Sequence, residues 1–243
     1  MKKSMTKYLR RNLDIRAVAF CVLATLAFSS LAESLSFVIG DGKTRIKITV
    51  PDGFCLLDVN HPSDNRVLTT FDRQAKGKHR RLAFMVNCEQ LNQWRHGDLL
   101  TFSDFGYILL PEESVDQESD EALDVFLNGM VSEIGYNRKN IIRHRGNGYL
   151  ETHIKGAVKD LETRSSVDLG LIHRDTFALY TASLDKITTE IGEQKLSGKV
   201  TAITQVNGKP FFFYRLRELD NLSTIRKIES DLREWMALVH EAN

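Results

Sequence analysis

A short apolar run at residues 17–28 constrains this chain most, because it determines the compartment in which the rest must fold. Six basic residues precede it: Lys2, Lys3, Lys7, Arg10, Arg11 and Arg16. Ser30 and Ala32 place small side chains three positions and one position before Glu33. A basic region, an apolar region and a small-x-small end are the three parts of a cleaved secretory signal peptide. We therefore expect cleavage between Ala32 and Glu33, with residues 33–243 forming a single exported domain.

A retained membrane anchor is the main alternative for this segment. Crossing a bilayer takes about 20 apolar residues, whereas residues 17–32 supply only 16, three of them polar. A lipoprotein is disfavoured because Cys21 follows the bulky Phe20 inside the apolar run. The twin-arginine route is disfavoured because Asp14 places a charge soon after Arg10-Arg11. The long basic region is typical of bacteria, so we predict the periplasm as the destination.

The charge balance of the exported part argues against a nucleic-acid partner. The chain has 33 basic and 32 acidic residues, and residues 1–32 contain six of the former and one of the latter. The remaining 27 and 31 give a net charge of −4. Nucleic-acid binding depends on phosphate neutralisation by Lys and Arg, so none is expected. No later run reaches 18 apolar residues, and we expect no integral membrane span after cleavage.

Cys55 and Cys88 are the two cysteines of the exported part. In an oxidising compartment such a pair is typical of a structural disulfide. Redox catalysis is the alternative, but working dithiols usually have a Cys-x-x-Cys spacing, and these two residues lie 33 apart. A helix that begins at Cys88, after Asn87, would lower the pKa of the Cys88 thiol, which is the feature that the redox alternative needs.

The periodicity of apolar residues predicts an α+β fold. Period-two alternation and short apolar runs predict strands at residues 35–39, 45–50, 82–86, 105–110, 149–158, 166–173, 176–184, 199–206 and 210–216. Asn207-Gly208 predicts a two-residue hairpin turn, since both positions of a type I′ turn need positive φ. Helices are predicted after Ser63 as cap, at 89–96, at 120–134 and along the last stretch, residues 222–239. We expect a mostly antiparallel sheet with helices on its faces and a long amphipathic C-terminal helix.

Two stretches carry a resemblance to a known fold. The first is the segment Val50-Pro51-Asp52-Gly53-Phe54 after an N-terminal hairpin, and the second is the closing hairpin at 199–216 with its terminal helix. In order and spacing they resemble the Mog1/PsbP-like α/β/α sandwich. The chain is also similar to uncharacterised exported α-proteobacterial proteins with a Val-Pro-x-Gly-[Phe/Tyr]-Cys segment. The resemblance implies a fold whose members mainly act as non-catalytic binding or assembly factors.

No motif in the chain carries recognisable catalytic or metal-binding spacing. The seven histidines form no His-Glu-x-x-His pattern, although His144 and His153 are placed to meet if both lie on strands. There is no Gly-x-Ser-x-Gly elbow and no phosphate-binding loop. Gly146-Asn147-Gly148 is interpreted as a turn. No catalytic residue, metal ligand or cofactor is predicted, while paired carboxylates brought together by folding remain open as an alternative.

The most unusual local composition is basic, at residues 73–81, which we interpret as a loop. Its candidate binding residues are Lys76, Lys78, His79, Arg80 and Arg81, which would contact an anionic envelope component or an acidic envelope protein. A solvated connection is the alternative. A second basic group at residues 138–145 would support the first interpretation if it shared the same face.

These observations predict a non-catalytic binding or assembly factor of the cell envelope. The competing class is a periplasmic hydrolase whose residues are scattered through the chain. Spacing alone indicates neither the ligand nor the oligomeric state.

Overall fold

An antiparallel sheet forms the centre of the computed structural model, which describes residues 34–39, 42, 44–137, 147–188, 193–221 and 223–243. Its strands and a separate hairpin are β1 (Ser34–Ile39), β2 (Thr44–Thr49), β3 (Phe54–Leu56), β4 (His79–Asn87), β5 (Asp104–Pro111), β6 (Ser166–Arg174), β7 (Leu179–Thr188), β8 (Gln194–Val206) and β9 (Lys209–Glu218). β1 pairs only with β2 among these strands, and the other seven have the order β3-β4-β5-β9-β8-β7-β6. The predicted fold class is confirmed.

Helices cover both faces of this sheet. They are α1 (Pro62–Ala75), α2 (Cys88–His96), α3 (Leu123–Asn137), α4 (Asn147–Asp160) and α5 (Thr224–Glu241), with a short 3-10 turn at Glu112–Ser114. Successive residues of a strand point to opposite faces: Ala83 and Met85 of β4 pack with α4, α5 and the β1–β2 hairpin, whereas Phe84 and Val86 pack with α1 and α2. α3 packs on the same side as α1, over Leu179 and Ile203.

The C-terminal helix α5 seals the first face. Its stripe recurs with the period of a helix and is fully buried: Ile225, Ile228, Leu232, Trp235, Met236 and Val239. The Trp235 ring meets the Phe213 ring edge-on with centroids 5.0 Å apart, and its indole N–H donates to the carbonyl of Thr49 at 2.6 Å. The side chain of Asn243 exchanges two hydrogen bonds with the backbone of Lys47, of 2.9 and 2.7 Å. The last residues of the domain therefore hold its first hairpin in place.

Turn chemistry fixes the closing hairpin. Asn207 and Gly208 both have positive φ, 48° and 73°, as the predicted type I′ turn between β8 and β9 requires. The ammonium of the next residue, Lys209, is buried and donates to the carbonyls of Val115 and Gln117 at 3.0 and 2.6 Å. The Asn207-Gly208 turn and Lys209 thus anchor the segment that follows β5.

Several predicted elements differ from the structure. Residues 149–158 are helical, within α4, because Ile154, Ala157 and Leu161 recur at helical spacing and are buried; Asn147-Gly148 begins this helix and is not a turn. His153 is therefore not on a strand. Ser63 is not the cap of α1, which begins at Pro62, since proline at the first position has its φ preset and no orphan N–H.

The predicted basic loop is also shorter than expected. α1 continues through Arg73 to Ala75, and β4 begins at His79. Only Lys76, Gly77 and Lys78 connect them, with Gly77 at φ 77°. The residues His79, Arg80 and Arg81 belong to a strand. The prediction of a nine-residue loop at residues 73–81 is therefore wrong.

Some predictions lie outside the described residues. They include the signal peptide at residues 1–32, its cut at Ala32 and Glu33, and the second basic group at 138–145. Residues Ser34–Asn243 make up one compact unit. Among the helices that the structure describes, none has the length and apolarity needed to cross a bilayer.

Candidate ligand-binding cleft

An open cleft of about 800 Å³ lies on the sheet face that carries α1 and α2. It has the size of small-molecule sites, about 300–1,000 Å³. β4, β5 and β9 provide its floor, and α1, α2 and the segment between α2 and β5 provide its walls. The lining residues are Arg66, Val67, Thr70, Phe71, Gln74, Phe84, Trp94, Gly97, Leu99, Leu100, Thr101, Phe102, Phe105, Tyr107 and Leu216.

Aromatic rings dominate the floor of the cleft. Phe84 stacks between Phe105 and Tyr107, with centroids 5.6 and 5.8 Å away. Tyr107 in turn stacks on Tyr214 of β9 at 4.5 Å, and Phe71 of α1 meets Tyr107 edge-on at 4.7 Å. Such contacts add to the energy of area burial, so the floor is rigid and apolar.

The phenols at the floor stay protonated over the physiological range. Burial raises the pKa of the Tyr107 phenol far above its ordinary value, with the neighbouring Tyr214 adding to the shift. Burial also raises the pKa of Tyr214, to about 12. Neither tyrosine contributes a negative charge to this face.

The walls of the cleft carry one formal charge. Arg66 is exposed on α1, and Thr70 and Gln74 follow it at intervals of four residues on the same helical face. None of the lining residues in the described ranges is a carboxylate. Within the described part of the chain, no ion pair is made by Arg66 that would neutralise it. The cleft is therefore apolar inside and positive at one edge.

Trp94 contributes a polar atom without a partner. Its indole Nε1 is buried, and none of the described residues accepts a hydrogen bond from it. Its ring packs against Phe102 across the cleft wall at 5.0 Å. Buried donors without acceptors are uncommon, and this one belongs to a residue that lines the cleft.

Residues at its two ends determine where α2 begins and ends. Asn87 caps its first turn by accepting from the backbone N–H of Glu89 and of Gln90 at 3.0 and 3.3 Å. Gly97 ends it in the left-handed conformation, at φ 85°. The predicted helix and both of its ends are confirmed, and the chain leaves Gly97 along the cleft.

Two cross-links hold α2 against the rest of this face. Cys55 of β3 and Cys88, the first residue of α2, form the predicted disulfide, with Cα atoms 4.9 Å apart. Arg95 at the other end of α2 bonds the fully buried Asp64 of α1, with the Arg95 Nη2 to Asp64 Oδ2 distance 2.5 Å. Asp64 also accepts from the N–H of Asp58 at 3.0 Å. The walls of the cleft are therefore fixed at both ends.

A second polar cluster lies under α5, away from the cleft. Asp175 accepts from the Tyr180 hydroxyl at 2.9 Å and from two backbone N–H groups. Glu229 of α5 lies 3.6 Å from His173 of β6, and burial raises the pKa of its carboxyl. These are catalytic residue types, yet the described clefts are not lined by any of them. An ion pair between Arg233 of α5 and Asp175, with Nε and Oδ2 3.5 Å apart, fastens α5 to the turn between β6 and β7.

The five residues predicted from the basic composition differ in their surroundings. Lys76, Lys78 and Arg80 are exposed, and no ion pair joins any of them to another described residue. Arg81 makes a bidentate pair with Asp72, with N–O distances of 2.7 and 2.8 Å. His79 packs edge-on against Phe212. Lys76 follows two residues after Gln74, so the exposed basic residues adjoin one end of the α1 wall.

Sequence reasoning predicted the helices that become α1 and α2 and did not identify the cleft between them. Among the described residues, no group of three or more His, Cys, Asp or Glu side chains could hold a metal ion. The signal that was overlooked is aromatic density: six aromatic residues of the cleft occur between positions 71 and 107.

The fold and site together define an α+β sandwich with a disulfide-braced, aromatic cleft. Comparison with known proteins adds no relative: no protein-family model matches the chain, and no curated protein matches it.

Proposed function

We propose that this chain is an exported, non-catalytic binding or assembly factor of the bacterial cell envelope, and that the cleft is its binding site. One observation carries the proposal: a cleft of about 800 Å³ whose described lining is mostly aromatic and aliphatic, with a few neutral polar side chains and with Arg66 as its one charged residue. General acid–base or nucleophilic chemistry needs titratable groups at the reacting atoms, and this lining favours binding over such chemistry.

Three further observations support the location and the role. The N-terminal pattern at residues 1–32 is that of a signal peptide. The Cys55–Cys88 disulfide is typical of oxidising compartments. The segment at residues 50–54 and the closing hairpin resemble the Mog1/PsbP-like sandwich, whose members mainly bind or assemble.

Filling the cleft tests the binding role. Thr70→Phe adds a ring to the α1 wall, and Thr69→Phe adds the same ring at an exposed position that does not line the cleft. We expect an apolar fluorescent probe, 1-anilinonaphthalene-8-sulfonate, to bind the natural protein and the Thr69→Phe variant equally. The Thr70→Phe variant should bind it at least fivefold more weakly. Equal binding by all three proteins contradicts the proposal.

Intact-mass measurement of the native protein tests the location. Periplasmic fractionation should yield a chain beginning at Glu33 and lighter by two hydrogens before reduction than after it. A chain that keeps its first 32 residues in the cytoplasm, with Cys55 and Cys88 open to alkylation, contradicts export.

A further inference from the structure

We propose that the ligand of the cleft is an anionic lipid, with its acyl chain on the aromatic floor and its headgroup paired with Arg66. The inference rests on the proposed binding function and names its substrate class. It follows from three properties of the cleft: its shape, its charge and the hydrogen-bond donors along its walls.

The shape of the cleft suits an extended apolar chain. The cleft lies open along α1, and its wall runs from Arg66 to Gln74, about 12 Å at the rise of an α-helix. Aromatic faces form the floor beneath it. An acyl chain makes no hydrogen bonds, so it can lie on such a floor without leaving polar groups unpaired. A bound peptide backbone would need partners for its own N–H and carbonyl groups, and this floor provides none.

The charge of the cleft selects an anionic group. Among the lining residues that the structure describes, Arg66 is the one with a charge, and none of them is a carboxylate. Lys76 and Lys78, both exposed, follow shortly after Gln74 at the far end of the α1 wall. Neither lysine lines the cleft, so the headgroup is placed at Arg66. A cationic ligand would meet no opposite charge in the lining.

The donors on the walls agree with this assignment. N–H or O–H groups are present on Arg66, Thr70, Gln74 and Thr101. Trp94 Nε1 is a buried donor for which no described residue is the acceptor. A carboxylate or phosphate headgroup is rich in acceptor oxygens. The walls therefore complement the headgroup, as the floor complements the chain.

Calorimetric titration of the full exported domain tests the proposal. The probes are decanoate, dodecanoate and tetradecanoate below their micelle concentrations, the corresponding alcohols below their solubility limits, and acetate as the anion without a chain. Each added methylene should tighten binding by roughly two- to fourfold, as partial to full burial predicts. Dodecanoate should bind about fivefold more tightly than dodecanol. Acetate alone should not bind detectably.

Matched variants test whether Arg66 causes the preference for the anionic ligand. Arg66→Gln should remove the preference for dodecanoate over dodecanol and leave dodecanol binding unchanged. Arg73→Gln removes an exposed cation of the same helix outside the lining and should leave the preference intact. Thr70→Phe should weaken both ligands.

The outcomes separate this proposal from the binding function on which it rests. Equal affinity for acid and alcohol, both lost in Thr70→Phe, overturns the anionic lipid and leaves the cleft as a binding site. If no lipid binds but an apolar peptide binds and Thr70→Phe abolishes its binding, the anionic lipid is likewise overturned and the cleft remains a binding site. If no apolar probe binds in a manner sensitive to Thr70→Phe, both proposals fail.

Discussion

Asp64 and Arg95 show how unequally two members of one ion pair depend on each other. The Asp64 side chain is fully buried, whereas that of Arg95 is 30% exposed. An arginine that loses its partner can turn toward water, but a carboxylate at the base of α1 cannot. Breaking a buried pair is costly mainly because of the charge left behind.

Replacing each partner should therefore have different consequences. Arg95→Met leaves the buried Asp64 carboxylate with the Asp58 N–H and the His61 ring, 3.4 Å away at Nδ1, as its partners. We expect it to lower the free energy of unfolding by about 3 kcal/mol, the lower end of the cost of breaking a buried pair. Asp64→Asn keeps an acceptor for the Asp58 N–H and should cost only about 1–2 kcal/mol. Urea unfolding at neutral pH, with Arg73→Met as the exposed control, measures both. A larger loss in Asp64→Asn would contradict this reasoning.

His240 links stability to pH. Burial lowers the pKa of its imidazole below the usual 6.5, against the opposing effects of the Phe177 carbonyl and Asp175. Its Nε2 lies 2.8 Å from the Thr204 hydroxyl, which donates to the carbonyl of Phe177. The unfolded chain gains a proton near pH 6.5 that the folded chain accepts only at lower pH. Stability from this group is therefore full above pH 6.5 and decreases as the pH falls.

The replacement His240→Gln should remove this part of the pH dependence. Urea midpoints measured between neutral pH and pH 5 should fall more steeply in the natural protein than in the variant. The difference between the two curves cancels the other titrating groups that both proteins share. Parallel curves would show that His240 does not produce the effect.

Among the elements, the contact between β5 and β9 leaves no room for a side chain at Gly106. A Cβ there would lie 2.7 Å from the backbone oxygen of Tyr214 and 2.8 Å from Cδ of Arg215. Because the nearest atom is backbone, one of the strands must shift. Gly106 thus lets the two strands that support the cleft floor approach each other.

Gly106→Ala should consequently lower the free energy of unfolding by about 1–3 kcal/mol. Gly129→Ala is the matched control, since that position in α3 has no atom within 4 Å of the added Cβ. An alanine inside a helix is favoured over glycine by up to about 1 kcal/mol, so this variant should be slightly stabilised. Thermal unfolding of both variants measures the contrast, and equal shifts would contradict it.

Some helices and strands could be predicted from their sequences, and others could not. Helix α5 and the Asn207-Gly208 hairpin were predicted because periodicity and turn chemistry agree there. Residues 149–158 were misjudged because β-branched and aromatic side chains favour strands, while the buried stripe of Ile154, Ala157 and Leu161 has helical spacing. Tertiary burial decided between the two. The basic residues at 73–81 were misjudged because a basic composition around Gly77 was interpreted as a loop, whereas Arg73 belongs to α1 and residues 79–81 belong to β4.

At the scale of the whole molecule, the fold class was predictable and the cleft was not. The lining runs from Arg66 to Leu216, and each apolar lining residue is indistinguishable in sequence from a core residue. A cleft arises where α1, α2 and the segment after Gly97 stay apart, and this separation depends on packing between distant elements. Cys55 and Cys88 could be paired from sequence because the inferred compartment left them as partners.

The disulfide acts on the unfolded chain as a whole. Its sequence separation of 33 implies a stabilisation of about 3–4 kcal/mol from loop closure. Reduction, or replacement of both cysteines by serine, should lower the urea midpoint by the corresponding amount. The reduced natural protein and the double variant should behave alike. An unchanged midpoint after complete reduction, verified by thiol labelling, would contradict this expectation.

The contacts of Trp235 with Thr49 and of Asn243 with Lys47 have a consequence for biosynthesis. Ribosomes and translocation channels deliver a polypeptide from its N-terminus, so β1 and β2 emerge long before the helix that anchors them. Until α5 has been released, the contacts of Trp235 and Asn243 with that hairpin are missing, and a two-stranded hairpin alone is marginally stable in water. A nascent chain stalled before α5 emerges therefore lacks these contacts, and its N-terminal hairpin is more open to proteases than in the folded domain.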